Sequence, residues 1–174
     1  MIAYWLVPSV PRRDFFATLI AELAQRFDAP IFEPHLSIFA EPASDAHARR
    51  VIREVAADFG QIRMSVVGVR FSEEFFKTVF VQFSTSAAVA QLSAAIQSRS
   101  VDAGGFHLDP HLSLIYKSML PDDKNKLAGS LRLPFDEVMF DSVAAINVPN
   151  EARTRAGVES WETLAERRLK SMRL

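Results

Sequence analysis

Short apolar runs and amphipathic stretches alternate along the chain, and their order predicts the elements of its first half. Residues 3–7, AYWLV, form an apolar run that Pro8 ends, as expected of a short buried strand. Between Asp14 and Phe27 the apolar residues recur at helical spacing, which predicts an amphipathic helix with Asp14 at its N-cap or in its first turn. The same patterns predict three further elements: a strand at about 35–39, a helix over 45–59 and a strand over 62–71.

The second half of the chain repeats this order. Its predicted elements are a strand over 78–83, a helix over 87–97, a strand at about 111–116, a helix over 122–131 and a strand at about 137–148. Two copies of one order indicate an α+β fold made by duplication, with two lobes, pseudo-twofold symmetry, sheets at the centre and helices outside. We therefore predict a single domain over 1–174, with lobes at about 1–75 and 76–150. The remainder, 151–174, is expected to add a strand at 158–165, VESWETLA, and a basic tail that is helical or frayed.

Two identical tetrapeptides stand at the same place in the two copies. Pro34–Ser37 and Pro110–Ser113 both read PHLS, and their histidines are 76 residues apart (111 − 35). Side chains alternate between the faces of a strand, so each His shares a face with the Ser two positions on, while the Leu between them points to the other face. If a twofold axis relates the lobes, the polar faces converge on one cleft. Four polar side chains would then line that cleft: His35, Ser37, His111 and Ser113.

Two imidazoles and two hydroxyls suit phosphoester chemistry. Neutral imidazole accepts a proton from water and imidazolium donates one to a leaving alkoxide, and a pKa of about 6.5 lets both forms coexist near neutral pH. The serine hydroxyls can hydrogen-bond the phosphate oxygens that gain charge in the transition state. A single His in a strand is more often packed or exposed than catalytic, but two copies at matching places favour a shared site. The serines could instead be nucleophiles of an acyl-transfer enzyme, which the missing G-x-S-x-G elbow argues against.

Composition narrows the class of protein. The formal net charge is −1, from 20 Lys and Arg against 21 Asp and Glu, so the chain lacks the basic excess on which extended nucleic-acid binding depends. The chain has no cysteine, which excludes disulfides, thiolate metal sites and a Cys nucleophile. It also lacks HExxH, CxxC and any dense carboxylate cluster near the motifs, so we predict no metal and no cofactor. No apolar stretch approaches the roughly 18 residues of a membrane span, and we expect a soluble, cytoplasmic monomer that does not bind a membrane.

With two H-x-S motifs in a duplicated α+β domain, the chain resembles the 2H phosphoesterase superfamily over nearly its whole length, from AYWLVP to DSVAAINVP. The resemblance is nearest to the cyclic phosphodiesterase branch, which opens nucleoside 2′,3′-cyclic phosphates and ADP-ribose 1″,2″-cyclic phosphate, and it extends to the 2′-5′ RNA ligase-like proteins. It implies antiparallel sheets that face a central cleft. In that branch aromatic residues line the substrate pocket, and the residues at matching positions here are Trp5, Phe76 and Tyr116.

The resemblance implies that one histidine is a general acid and the other a general base. We therefore predict metal-independent hydrolysis of a cyclic phosphodiester, with the hypothesis that His111 activates water and His35 protonates the leaving oxygen. The partner would be a small cyclic-phosphate nucleotide or an ADP-ribose derivative, with an RNA 3′ end as an alternative. Two rival functions remain open at this point: an RNA-end processing enzyme of the same superfamily, and a non-catalytic module that binds phosphorylated nucleotides.

Other polar residues carry weaker signals. His107 is expected to have a loop or supporting role, because the first half has no histidine at the matching place. His47 is expected on the solvent-exposed face of its helix. Lys77 and Lys117 could attract phosphate, although isolated lysines are usually solvated. The basic residues near the end of the chain are expected to form a solvated tail, with RNA contact as the alternative: Arg167, Arg168, Lys170 and Arg173.

Overall fold

The computed structural model describes residues 1–101, 105–149 and 153–171, and these form an α+β fold. Their strands are β1 (Ile2–Pro8), β2 (Leu36–Glu41), β3 (Ile62–Phe71), β4 (Val79–Phe83), β5 (His111–Ile115), β6 (Glu137–Asn147) and β7 (Glu162–Arg168). Their helices are α1 (Arg12–Phe27), α2 (Asp45–Asp58), α3 (Ala87–Gln97), α4 (Pro121–Ser130) and α5 (Arg155–Glu159), with a short 3₁₀ turn at Phe75–Lys77. No helix in these ranges is both long and apolar enough to pass through a membrane.

The strands form one antiparallel sheet that curls into a barrel-like arrangement. Its order is β1-β2-β5-β4-β3-β6-β7, and β1 also pairs with β6, so the first six strands form a closed circuit. Helices α1 to α4 each pack against strands of this sheet. The pairings of one half recur in the other, since β1–β2 corresponds to β4–β5 and β6–β1 corresponds to β3–β4.

The register between β3 and β6 shows the pseudo-twofold relation directly. Ile62 pairs with Phe140, and Met64 pairs with Val138. A shift of 76 residues, the spacing of the two PHLS motifs, exchanges these two pairs (62 + 76 = 138 and 140 − 76 = 64). The duplicated two-lobe fold predicted from the repeated order of elements is therefore confirmed.

Alternation along β1 sends its side chains into two different environments. Tyr4 and Leu6 are fully buried in the main core, which the helices share with the sheet. Trp5 and Val7 point to the opposite face, where they form a smaller apolar cluster with residues of β6. One face of β1 thus stabilises the fold, and the other is available to build a pocket.

A buried carboxylate interrupts the apolar core at the end of β2. Glu41 is 1% exposed and accepts hydrogen bonds from the Tyr4 hydroxyl at 2.7 Å and from the Val101 amide at 2.8 Å. Burial would raise the pKa of Glu41, but its hydrogen bonds hold it below the usual range. Nε2 of His47 lies 3.3 Å from Oε1 of Glu41, and the His47 side chain is only 12% exposed. The prediction that His47 faces solvent is therefore wrong, because the buried carboxylate draws this imidazole against the core.

The structure also departs from the prediction after β6. The strand predicted over 158–165 divides into α5 and β7, and the hydroxyl of Thr154 caps α5 by accepting from the Gly157 amide at 3.0 Å. Strand β7 then pairs with the free edge of β6. It includes Arg167 and Arg168, so these two arginines are not part of a helical or frayed tail. Two predicted features lie outside the described residues: the lobe boundary after residue 150, and Arg173.

Candidate active site

The two PHLS motifs meet because β2 and β5 are neighbours in the sheet. Leu36 pairs with Leu112 across the two strands, and both leucines are buried in the main core. Their neighbours face the other way and line a pocket of about 260 Å³. The four predicted site residues come together there: His35, Ser37, His111 and Ser113. His111 opens β5, whereas His35 lies one residue before β2 and not inside the strand as predicted.

Backbone carbonyls orient both imidazole rings. Nδ1 of His35 lies 2.7 Å from the Glu33 carbonyl oxygen, and Nδ1 of His111 lies 2.8 Å from the Asp109 carbonyl oxygen. Because a carbonyl oxygen only accepts, each ring carries its hydrogen on Nδ1 and keeps Nε2 as its basic atom. In each copy the carbonyl belongs to the acidic residue before the motif proline, so the repeated pattern extends to that acidic position.

Aromatic rings enclose the imidazole of His35. The Trp5 ring stacks on it with 3.5 Å between centroids and an interplanar angle of 8°. Trp161 and Phe32 stand edge-on to the imidazole at 6.1 Å and 6.2 Å between centroids. His35 itself is 7% exposed. Burial lowers the pKa of His35 to about 3, since these apolar surroundings disfavour the imidazolium, so His35 is neutral at physiological pH.

Charged and polar side chains surround the imidazole of His111. Oδ2 of Asp109 lies 3.8 Å from Nδ1 of His111, and the same oxygen accepts a hydrogen bond from the ammonium of Lys77. Gln82 donates from Nε2 to Oδ1 of Asp109 at 3.1 Å. Phe80 stands edge-on to His111, with 5.4 Å between ring centroids. Burial lowers the pKa of His111 below its ordinary value, although the bond to the Asp109 carbonyl opposes that shift.

The hydroxyls of the two motifs differ in their hydrogen bonds. Oγ of Ser113 donates to the carbonyl of Phe76 at 2.7 Å, and Ser113 is 5% exposed. Ser37 is half-buried, and its hydroxyl has no hydrogen bond with any of the residues that the structure describes. A ligand in the pocket therefore meets one hydroxyl that is already held by the protein and one whose donor and acceptor sites are open.

The three aromatic residues predicted from the family pattern line the same pocket as the four catalytic candidates. They are Trp5, Phe76 and Tyr116. The rings of Phe76 and Tyr116 meet edge-on with 5.3 Å between centroids. Burial raises the pKa of the Tyr116 phenol. The position of these rings fits substrate binding, which remains a prediction.

Trp161 is a pocket residue that sequence reasoning missed. It enters the pocket from the turn between α5 and β7. The centroid of its ring lies 5.7 Å from the ring centroid of Trp5, 5.8 Å from that of Tyr116 and 6.0 Å from that of Phe76. Its indole Nε1 is buried and finds no hydrogen-bond partner within the described ranges. The one available signal was that a chain with only two tryptophans places this one in a segment with no counterpart in the repeat.

Lys77 and Asp109 also belong to the site. Lys77 lines the pocket with a side chain that is 17% exposed, so the expectation of a merely solvated lysine is wrong. The signal for Asp109 was the acidic residue that stands two positions before each motif histidine. Lys117 lies outside this pocket and donates to the Asp28 carbonyl at 2.9 Å, and His107 is exposed elsewhere. Across the described residues, no three His, Asp or Glu side chains cluster as metal ligands would.

Comparison with known protein families agrees with this geometry. The model of the family described as cyclic phosphodiesterase-like proteins matches residues 1–169. The chain belongs to this family. The match spans both PHLS motifs and extends past Trp161, so every pocket residue described above lies inside it. The resemblance to the 2H phosphoesterase superfamily that the motifs indicate is thereby confirmed.

Solved structures of other proteins share the fold of this family member. TT0787 of Thermus thermophilus matches with a TM-score of 0.60 and 13% identity, over 99% of each chain. LigT of E. coli, in a complex with 3′-AMP, matches with a TM-score of 0.55 and 12% identity, over 97% of each chain. A protein described as a phosphoesterase matches with a TM-score of 0.59 and 12% identity, over 97% of this chain and 98% of that one. At these identities the likeness shows the fold alone, and no protein of curated function matches the chain.

Proposed function

We propose that this cyclic phosphodiesterase-like protein hydrolyses small cyclic phosphodiesters without a metal ion. Its substrates are nucleoside 2′,3′-cyclic phosphates or ADP-ribose 1″,2″-cyclic phosphate. The observation that carries the proposal is the meeting, in one pocket, of two hydroxyls and two imidazoles that each keep Nε2 as the basic atom. A module that only binds phosphate has little need of two groups suited to proton transfer.

The surroundings of the two imidazoles support a division of labour between acid and base. Burial lowers the pKa of His35 to about 3, whereas His111 is less buried and the charges of Lys77 and Asp109 beside it oppose each other. When the pair holds a single proton, that proton therefore resides on His111. We assign His111 as the general acid and His35 as the general base, the reverse of the hypothesis drawn from the sequence. A phosphate anion between the rings favours protonation of both, so it raises both pKa values.

The proposed reaction opens the ring in a single displacement at phosphorus. Nε2 of His35 takes a proton from water as the water oxygen attacks phosphorus. The bond between phosphorus and the ribose oxygen breaks, and Nε2 of His111 gives its proton to that oxygen. The Ser37 hydroxyl donates to a non-bridging oxygen, where negative charge grows in the transition state. The Ser113 hydroxyl donates to the other non-bridging oxygen by turning its one hydrogen away from the Phe76 carbonyl. The product is a phosphomonoester, and exchange with solvent returns both imidazoles to their starting states.

The remaining walls of the pocket suit a nucleoside. The rings of Trp5, Phe76, Tyr116 and Trp161 all line it, and a base or a ribose face can pack on such surfaces. The pocket volume of about 260 Å³ and the net charge of −1 favour a small ligand over an extended nucleic acid. An RNA 3′ end would place its cyclic phosphate in the same pocket and its upstream nucleotides outside.

Turnover of 2′,3′-cyclic AMP in the presence of EDTA tests the proposal. We expect the wild-type protein to hydrolyse it, and His35→Gln and His111→Gln each to lower kcat by about 10²–10⁴-fold because each removes a proton-transfer group. His107→Gln is the matched control, since this exposed histidine lies outside the pocket. Circular dichroism checks that every variant is folded. Binding without turnover would support the rival binding module, and loss of activity in EDTA would contradict the metal-free reaction.

A second assay separates the substrate classes. ADP-ribose 1″,2″-cyclic phosphate, 2′,3′-cyclic AMP and a short RNA with a 2′,3′-cyclic end are compared at low and moderate salt. A small-molecule enzyme should process the two small substrates with little salt dependence. Preference for the RNA, with binding that weakens steeply as salt rises, would favour the RNA-end processing enzyme instead.

A further inference from the structure

The acidic residues before the two motifs occupy matching positions but face different partners. In the first copy, Oε2 of Glu33 lies 3.3 Å from the guanidinium of Arg13, and the Glu33 side chain is 63% exposed. In the second copy, Oδ2 of Asp109 lies 3.8 Å from Nδ1 of His111. Of these two carboxylates, only the second is therefore placed to act on the imidazole of its own motif.

Neighbouring side chains hold Asp109 in this position. Lys77 donates to Oδ2 of Asp109, and Gln82 donates to Oδ1 at 3.1 Å. The ammonium of Lys77 also lies 4.6 Å from the ring centroid of Phe80, and that ring stands edge-on to His111. Burial would raise the pKa of Asp109, but the hydrogen bonds from Lys77 and Gln82 hold it below the usual range. Asp109 is thus a carboxylate at neutral pH, paired with a cation, beside one of the two imidazoles.

We propose that Lys77 and Asp109 form a charge pair that sets the proton affinity of His111. Both are positioning residues, since they act on the reaction through that imidazole. The inference rests on the proposed function, in which His111 is the proton donor. Without Lys77, the negative charge of Asp109 would raise the pKa of His111, so the proton would be released less readily. Without Asp109, the positive charge of Lys77 would lower that pKa, so His111 would lose its proton. The pair together leaves His111 able to carry a proton and to release it.

Two other titratable groups face His111. Glu74 is exposed at the start of the 3₁₀ turn, and its negative charge favours the imidazolium form of His111. His35 stands across the pocket, and a positive charge on His111 lowers the pKa of His35. The neighbouring strand β4 contributes Phe80 and Gln82, which carry no charge. Glu74 and His35 are unchanged in the variants below, so differences between those variants report on the charge pair alone.

The proton affinity of His111 can be measured directly in the complete protein by NMR titration of its ring. In Lys77→Met the carboxylate of Asp109 loses its counter-charge, so the pKa of His111 should rise. In Asp109→Asn the ammonium of Lys77 is left alone, so the pKa should fall. The double variant Lys77→Met/Asp109→Asn removes both charges, and the midpoint of its His111 titration should return close to that of the wild type. Lys77→Arg keeps the charge and should leave the midpoint in place.

The pH profile of kcat/KM supplies a second readout. A general acid must be protonated, so activity is lost as pH rises through the pKa of His111. The alkaline limb should move to higher pH in Lys77→Met and to lower pH in Asp109→Asn. Above the limb, each pH unit of displacement changes kcat/KM about tenfold relative to the wild type. Lys77→Met should therefore outperform Asp109→Asn under alkaline conditions.

Each outcome supports or overturns the inference. Equal His111 titration in the wild type and all variants overturns it, even if the protein hydrolyses cyclic phosphates. A loss of kcat/KM in Lys77→Met that is uniform with pH and is not relieved by Asp109→Asn also overturns it, because Lys77 would then act on the phosphate itself. If the wild type shows no turnover, the proposed function fails, but the NMR comparison still decides the charge pair. Should Lys77→Met not fold, the contrast between Asp109→Asn and the charge-neutral double variant carries the test.

Discussion

The half of the site around His35 and the half around His111 share three features. Each has the same tetrapeptide, a backbone carbonyl that accepts a hydrogen bond from Nδ1 of its histidine, and an aromatic residue opposite its serine on the neighbouring strand. Trp5 lies opposite the serine of the first motif, and Phe80 lies opposite the serine of the second. The halves diverge at this neighbour. The Trp5 ring lies flat on His35 with 3.5 Å between centroids, whereas Phe80 turns only an edge towards His111 at 5.4 Å. Equivalent positions on duplicated strands thus cover one imidazole and leave the other open.

The segments that follow β3 and β6 deepen the contrast. After β3, the 3₁₀ turn brings Lys77 to Asp109, beside His111. After β6, the chain passes through α5 and brings Trp161 to within 6.1 Å of His35. The duplicated strands supply the matched reactive groups, while the unmatched connections supply a charge pair to one and an aromatic cover to the other. The difference teaches that a symmetric frame can hold an acid and a base when its connections differ.

The largest expected effect comes from a substrate whose leaving oxygen is replaced by sulfur. A thiolate leaves without needing a proton, so the general acid becomes dispensable while the general base does not. On this substrate His111→Gln should come within about tenfold of the wild type, and His35→Gln should remain about 10²–10⁴-fold slower. Rescue of His35→Gln in place of His111→Gln would reverse the assignment and restore the hypothesis drawn from the sequence.

Trp5→Phe gives the first half the type of ring that the second half carries. The smaller ring covers His35 less completely, so the pKa of His35 should rise from about 3 towards its ordinary value. A general base must be neutral, so kcat/KM grows as pH rises through the pKa of His35. The acidic limb of the kcat/KM profile should therefore move to higher pH. Below that limb, kcat/KM should fall about tenfold relative to the wild type for each pH unit of displacement. Phe80→Leu is the control in the other half, and it should leave the acidic limb in place; an unmoved limb in Trp5→Phe would contradict the role given to the stack.

Replacing each serine by alanine compares the two hydroxyls, with a smaller expected effect. Both Ser37→Ala and Ser113→Ala should lower kcat by about 10–10³-fold, since each removes a donor to the phosphate oxygens. In the ligand-free protein Ser113→Ala also leaves the Phe76 carbonyl without its donor and should lower the free energy of unfolding by about 1 kcal/mol. Ser37→Ala breaks no hydrogen bond within the described residues, so its free energy of unfolding should stay within about 0.5 kcal/mol of the wild type. Denaturant unfolding measures both values, and equal losses of stability would contradict this difference.

The sequence was sufficient to predict the duplicated fold and to predict that the four motif residues share one pocket. Local patterns decide both, because apolar alternation and helical spacing define the elements, and strand alternation places each His and Ser on one face. The pairing of Leu36 with Leu112 then brings the two faces together. The repeated order of elements predicts that the two faces meet.

What surrounds the motifs depends on contacts between distant parts of the chain. Trp161 reaches the pocket from a segment outside the repeat, and Lys77 meets Asp109 across 32 positions of sequence. His47 illustrates the same limit, since helical spacing places it on a polar face but cannot show that the buried Glu41 of β2 stands beside it. The acid and base roles depend on such contacts, so two identical tetrapeptides could not reveal them.

NMR titration of both motif histidines in the free protein tests the central asymmetry most directly. The ring resonances are assigned by their absence from His35→Gln and His111→Gln, and their shifts are followed from neutral to acidic pH. We predict that His111 gains its proton first as pH falls, and that His35 stays neutral until a much lower pH, in keeping with a pKa of about 3. A His35 that titrates at the same pH as His111, or above it, would contradict the account.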